Sequence, residues 1–320
     1  MSRLHVDHKY IKKFAEEKVN LKADFVKKYR DQAGRLKEKL ENYLKEHEDF
    51  SLKKILMSGS LAKGTSLKII NDIDLACYIS GADVPRDVDA LLKYLEDKLK
   101  VAFPNFSPDQ VKRQNYSICV SFRRTGLDVD IVPILYDGDP NWYGCLVSKA
   151  NGEFLETCIP RHLEFVRTRK ANDPHFAQVV RLIKFWARKQ KNEDPDFRFK
   201  SFMIELILAY LSDKGQNLSD YPEALQSFFT YIARTNLEEQ ISFTDYYDES
   251  KLSKFSDIVQ IIDPVNSKNN AAKLYSRKNV DKIVDAALDA GDAIDAALAA
   301  PTEEKKLYYW QKVFGSTFTV

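Results

Sequence analysis

The sequence predicts an α/β (α+β) fold: a small mixed sheet, led by a long N-terminal bracing helix and followed by a helical domain. Three observations predict it. Residues 7–48 carry apolar side chains close to a 3.6-residue period, residues 54–134 contain short runs of period two, and beyond about residue 160 the strand signals fade into helical spacing. A first domain over 1–160 and a second over 161–320 follow, with the ligand cleft expected between them.

The first helix is read from Phe14, Leu21, Phe25, Tyr29, Leu36, Leu40 and Leu44, with lysines and glutamates on its other face. Such a basic face can touch nucleic acid, but a solvated surface is the preferred reading. Residues 54–58 read as a short strand that Gly59 and Ser60 break, and 61–69 as a helical turn or loop. Residues 73–79 are an apolar run with a β-branched start, a strand. Helical spacing returns over 86–100 through Val88, Leu91, Leu92, Leu95 and Leu99. Tyr116, Ile118, Val120 and Phe122 share one strand face. In 127–134 the alternation sets Asp128 and Asp130 on one face and Leu127, Val129 and Ile131 on the other, and Gly126 marks a hairpin turn between the two strands. Helices follow over 176–188, 202–211, 221–232 (Pro222 near its start) and 280–299, the second of them apolar nearly all round.

Composition removes several function classes. With 49 Lys and Arg against 47 Asp and Glu, the net charge of +2 does not suit a protein that coats nucleic acid broadly. The four cysteines form no CxxC pair and the five histidines no H-x3-H or HExxH pattern, so buried free thiols in a reducing cytosol are expected, not a zinc site. The N-terminal MSRLHVDHKYIKKF has no apolar leader, and the most apolar run, 204–211, is too short for a bilayer and contains Glu205. A cytoplasmic protein with no membrane partner is expected.

The chemistry gathers in three segments: Gly59-Ser60 with Lys63, Gly64 and Thr65; Asp72-Ile73-Asp74; and Asp130 within an apolar strand ending at Pro133. Two residues apart on a strand, Asp72 and Asp74 point to one face. Carboxylates so placed repel unless a cation lies between them, and hard oxygen ligands select magnesium or manganese. Asp130, mid-strand among apolar residues, is costly unless partnered. If its strand lies beside the first, three carboxylates converge on a two-metal site; Asp128, on the same face, is a competing third ligand. Glycine at 59 lets the backbone approach a phosphate, which neighbouring N–H groups and the Ser60 hydroxyl can hold. This is not a Walker A loop. Singly, a GS turn or a DxD is commonplace. Their order, with twelve residues from Ser60 to Asp72 and a third Asp in a hydrophobic strand, is not.

Gly59-Ser60-x-x-x-Gly64-Thr65, Asp72-x-Asp74 and Asp130-x-x-Pro133 together resemble the polymerase-β-type nucleotidyltransferase signature. Residues 182–186 (LIKFW) and 200–206 (KSFMIEL) resemble the helical-domain motifs of oligoadenylate synthases and cyclic GMP-AMP synthase. Asp263-Pro264, Asn269-Asn270 and the closing Trp310-Gln311-x-x-Phe314-Gly315 are similar to the bacterial CD-NTases, the cyclic-oligonucleotide synthases of CBASS anti-phage systems. The resemblance spans essentially the whole chain. It implies a polymerase-β-like core in which Asp72, Asp74 and Asp130 are catalytic and hold two Mg2+ ions, Mn2+ substituting. Gly59 and Ser60 bind the triphosphate, Lys184 and Ser201 reach it, and Phe202 stands where relatives often carry a base-stacking tyrosine; phenylalanine keeps the stacking face and lacks the hydroxyl. Read from the residues alone, Lys184 is also compatible with a solvated helix lysine, Ser201 with a helix N-cap, Phe202 with plain core, and 263–270 with a structural loop.

The implied reaction joins nucleoside triphosphates into a cyclic di- or trinucleotide with release of pyrophosphate. The implied partners are the triphosphates, an effector protein that binds the product, and a regulatory protein; nucleic acid is not required and is left open. Two other readings use the same residues: a linear oligonucleotide or RNA-end nucleotidyltransferase, and a catalytically silent nucleotide sensor. The modest net charge leans against a long RNA acceptor. An intact set of three aspartates leans against the sensor.

Overall fold

The computed structural model describes residues 7–46, 52–68, 72–123, 126–147 and 154–319, with every side chain among them except that of Leu44. The end of the expected first helix at 47–48, the Leu44 side chain, Ile69 and His5 lie outside the described residues. The chain divides into two compact units: residues 21–164, and residues 1–20 together with 165–320. The N-terminal segment therefore belongs with the helical part of the chain, not with the sheet as the 1–160 division has it.

The expected single helix over 7–48 is two. α1 (His8–Phe14) runs into a π turn at 15–19, and α2 (Ala23–Glu46) begins after a break. At the break Asn20 is extended, with φ −79° and ψ 136°. Side-chain bonds hold it there: Asn20 and Gln178 exchange amide hydrogen bonds of 2.8 and 3.2 Å, and Arg181 Nε donates to Asn20 Oδ1 at 2.9 Å. The physical reason for two helices is that the apolar stripe serves two cores. Ile11, Phe14 and Val19 are buried in the helical unit, where Phe14 packs on Phe185, Phe314 and Phe318. Ala33, Leu36 and Leu40 join the core of the sheet unit. Phe25, expected on the stripe, is exposed.

In the sheet unit, β1 (Leu52–Met57), α3 (Gly59–Lys63), β2 (Asp72–Ile79), α4 (Val88–Ala102), β3 (Val111–Arg113), β4 (Ile118–Phe122), β5 (Leu127–Leu135), β6 (Gly144–Val147) and β7 (Phe154–Thr157) follow in order. The strands form one mixed sheet, ordered β1-β2-β5-β4-β3, with β6 on β5 and β7 on β6. Only the β2–β5 pair is parallel among these described strands. Parallel neighbours need a crossover, and α4 with β3 and β4 supplies it. The Asp87 carboxylate caps α4 by accepting from the Ala90 N–H at 2.9 Å. Ile73, Leu75, Ile118, Val120, Val129 and Ile131 share one core cluster with Leu91, Leu92, Leu95 and Leu99 of α4 and with the buried stripe of α2. Each such side chain contributes about 1.5–3 kcal/mol on burial. The expected β4–β5 hairpin is present, with Gly126 at φ +64°.

The helical unit starts inside α5 (Ile159–Asn172), between Glu164 and Phe165, and continues through α6 (Phe176–Glu193), α7 (Ser201–Asp213) and α8 (Tyr221–Thr235). α7 is buried without interruption from Met203 to Ala209, as its composition predicts. The 263–270 segment, expected as a loop, is a small hairpin of β8 (Ile262–Asp263) and β9 (Asn266–Asn270). Asp263 pins it, accepting from the Val265 N–H at 2.9 Å and from Asn269 Nδ2 at 3.1 Å. α9 (Arg277–Ala299) and α10 (Glu303–Phe314) close the chain, and Trp310 of α10 donates its indole N–H to Asp7 at 2.9 Å. No helix among the described residues is long and apolar enough to cross a membrane.

Candidate active site

β2 and β5 pair in register, so that Asp72 stands beside Asp128 and Asp74 beside Asp130. Burial alternates through the first half of both strands: Ile73 and Val129 are wholly buried, Asp72 is exposed, and Asp74, Asp128 and Asp130 are half-buried. All four carboxylates therefore share one sheet face. On the far side of β5, β4 sets Cys119 opposite Asp130 and Ser121 opposite Asp128. Neighbouring strands lie about 4.8 Å apart, which brings Asp74 and Asp130 within reach of one another by side-chain rotation alone.

The turn after β1 is built onto that row. The Ser58 N–H donates to the Asp74 carbonyl at 2.8 Å, and Gly59 follows at φ +66°. A Cβ at Gly59 would stand 1.7 Å from Asp74 Oδ2, so a side chain is excluded by both conformation and space. Gly64, at φ +72°, ends α3, and the Thr65 N–H returns to the Ser60 carbonyl at 2.9 Å. Gly59 and Ser60 are thus the first turn of a short helix pressed against the Asp74 carboxylate.

Gln114 Nε2 donates to Asp130 Oδ1 at 3.3 Å, while the Ser117 hydroxyl donates to Gln114 Oε1 at 3.0 Å. Among the described residues, no group of three or more His, Cys, Asp and Glu side chains stands together as a ready metal cage. The donor set nonetheless fits a hard divalent cation, because its members are carboxylate oxygens in adjacent register. Burial pushes the Cys119 thiol pKa up, a hydrogen bond with Ser121 opposes it, and Asp130 and Asp128 add to the rise. All four cysteines are free, and burial lifts Cys77 to about 12.

In the helical unit, Lys184 is not a solvated helix lysine. Its side chain is buried, and its ammonium lies 2.6 Å from Glu205 Oε1 on α7, itself buried. Ser201 is the exposed first residue of α7; the cap position belongs to Lys200, whose N–H donates to the Tyr275 hydroxyl at 2.7 Å. Phe202 is half-buried, so it is not plain core.

Sequence reasoning missed Gln114, Ser117 and Glu205. Glu205 did leave a signal, an acidic residue inside the most apolar helix, where burial is costly without a partner. Gln114 and Ser117 left none, because their role depends on a strand register.

A family model described as the Second Messenger Oligonucleotide or Dinucleotide Synthetase domain matches residues 6–170. The chain is 62% identical over 319 residues, 99% of both chains, to the cyclic AMP-AMP-AMP synthase of Escherichia coli strain MS 115-1. It is 33% identical over 298 residues, 91% of both, to the CBASS oligonucleotide cyclase CdnC of Escherichia coli strain KTE188. The solved structure of E. coli MS115-1 CdnC with ATP, 62% identical, aligns with a TM-score of 0.94 over 99% of this chain and 100% of that one. The same CdnC in complex with HORMA-deltaN aligns with a TM-score of 0.93 over 99% of each chain.

Proposed function

We propose, because this chain belongs to the Second Messenger Oligonucleotide or Dinucleotide Synthetase family, the CD-NTases of polymerase-β-like fold, that it condenses three ATP molecules into a cyclic triadenylate. Enzymes of this family are nucleotidyltransferases that generally use divalent metal ions. The observation that carries the reading is the parallel register that sets Asp130 beside Asp74, next to a glycine turn with no room for a side chain.

In this reading Asp72, Asp74 and Asp130 would hold two magnesium ions, whose chemistry would be to lower the pKa of the attacking hydroxyl and offset the triphosphate charge. The chain's own residues position the reactants. Gly59 lets the backbone come close to the triphosphate, and Ser60 donates its hydroxyl to it. Lys184 and Ser201 are the helical unit's contribution to the same triphosphate, and Phe202 offers a stacking face to a base. Gln114 orients Asp130 through its amide. An acceptor hydroxyl displaces pyrophosphate from the α-phosphorus, and a final round closes the ring. Catalysis then rests on positioning and charge neutralisation.

The context we assign is CBASS signalling in the cytoplasm, with a separate effector reading the product and a HORMA protein as regulator. What supports it is the name of the 33% identical relative and the HORMA complex of the 62% identical one. The free thiols suit that reducing compartment.

Mass spectrometry of products formed from all four triphosphates with magnesium, before and after phosphatase, tests the reading. A phosphatase-resistant cyclic triadenylate is expected, and a chelator should stop its formation. Linear products that phosphatase shortens would favour the oligoadenylate reading. Triphosphate binding without pyrophosphate release, with the regulator present, would favour the sensor.

A further inference from the structure

The sheet unit holds a cavity of about 310 Å3 away from the acidic row. Phe103 and Phe106 follow α4 and stack at 4.9 Å, and Phe122 of β4 stands edge-on to both at 6.3 and 5.5 Å. Three rings in mutual contact make one apolar wall of the cavity, against which a flat, greasy body can lie. α2 adds Gln32, Arg35, Leu36 and Lys39 to the lining, and β5 adds Leu127. The Lys39 ammonium lies 4.7 Å from the centre of the Phe103 ring, and Arg35 and Lys39 are both exposed. Gln32 Oε1 is buried and accepts no hydrogen bond. A buried acceptor left unpaired is costly, and a ligand N–H or O–H would relieve it.

We propose that this cavity binds a small amphipathic organic anion: a flat apolar body lying against the phenylalanine cluster, an N–H or O–H donor for Gln32, and an acidic group for Arg35 and Lys39. An aromatic wall, an unpaired acceptor and two cations specify three parts of one molecule. Phe122 pairs in register with Leu127, whose side chain lies in the buried core cluster, on the sheet face opposite Asp128 and Asp130. The site is therefore separate from the carboxylates, and it does not depend on the reaction proposed above.

The test is fluorescence titration of the full chain with 8-anilinonaphthalene-1-sulfonate, which carries fused rings, an anilino N–H and a sulfonate. Saturable binding at one site is expected. N-phenyl-1-naphthylamine keeps the rings and the N–H but lacks the sulfonate, and should bind about tenfold more weakly, the scale of one charge-assisted contact. Gln32→Leu and Arg35→Glu should each weaken sulfonate binding by about as much. Circular dichroism and an unchanged or raised melting temperature for Gln32→Leu establish that the fold is kept. An absence of saturable binding overturns the proposal. So does equal binding of the two dyes, affinity unchanged in both variants, or displacement by ATP with magnesium, which would put the dye in a nucleotide site.

Discussion

The two units handle charge in opposite ways. In the sheet unit, carboxylates of like sign stand at adjacent positions of paired strands, Asp72 by Asp128 and Asp74 by Asp130. In the helical unit, a cation and an anion meet in the interior at 2.6 Å, Lys184 on Glu205. The second arrangement neutralises itself and serves the packing of α6 on α7. The first raises the free energy of the folded chain, and strand pairing alone never demands four acids there. Crowded like charge at an open sheet face thus reads as function, and a closed opposite pair as structure until its cation is shown to do more.

The comparison breaks first at Asp74. Asp74→Asn should lower cyclic product by roughly 10^3-fold or more, the scale of losing a preorganised electrostatic group, with an unchanged melting temperature. If melting temperature falls and activity survives, the acidic row is structural. Next in size is the helical pair. Glu205→Gln should destabilise by about 3–5 kcal/mol, because it strands a buried ammonium, and a Lys184→Met/Glu205→Leu double variant should regain most of that in denaturant melts. If the double variant is stable but inactive, Lys184 has a catalytic duty beside its structural one.

Gly59→Ala sharpens the sheet side. The added methyl collides with Asp74 and forces a disfavoured backbone region, for an expected cost of about 1–3 kcal/mol and clear loss of turnover. Gln114→Leu should reduce activity about 10–100-fold and raise the magnesium concentration needed for half-maximal rate, as expected when the partner of a metal carboxylate is lost. Least of all, Cys119→Ser should change stability by under about 0.5 kcal/mol and leave the rate intact, although Cys119 stands opposite Asp130.

Much of this was legible in the sequence because two periodicities are local. Alternation over 127–134 announced that Asp128 and Asp130 share a face, and the apolar run around Glu205 announced a buried helix. What was not legible depends on distant partners. The break at Asn20 carries no proline or glycine, and the amphipathic period runs straight through it; Gln178 and Arg181, far along the chain, hold it open. α10 was not read as a helix because its motif, Trp310 to Gly315, was noticed for its composition and not its period. The motif around Lys184 marks it out, but its burial depends on Glu205, 21 residues on, which no local period places against it. The 263–270 hairpin rests on side-chain bonds from Asp263 and the asparagines, which have no periodic trace.

The division of the chain at Asn20 and again within α5 makes the sheet unit an insertion in the helical one. A ribosome would therefore release the helical unit's first piece well before the remainder, and Ile11, Phe14 and Val19 must wait for α6, α8 and α10 to be synthesised. Sequence-distant closure of this kind slows folding and leaves greasy side chains uncovered meanwhile. A fragment starting at residue 165 would lack its own keystone, whereas one spanning 21–164 takes a whole core with it.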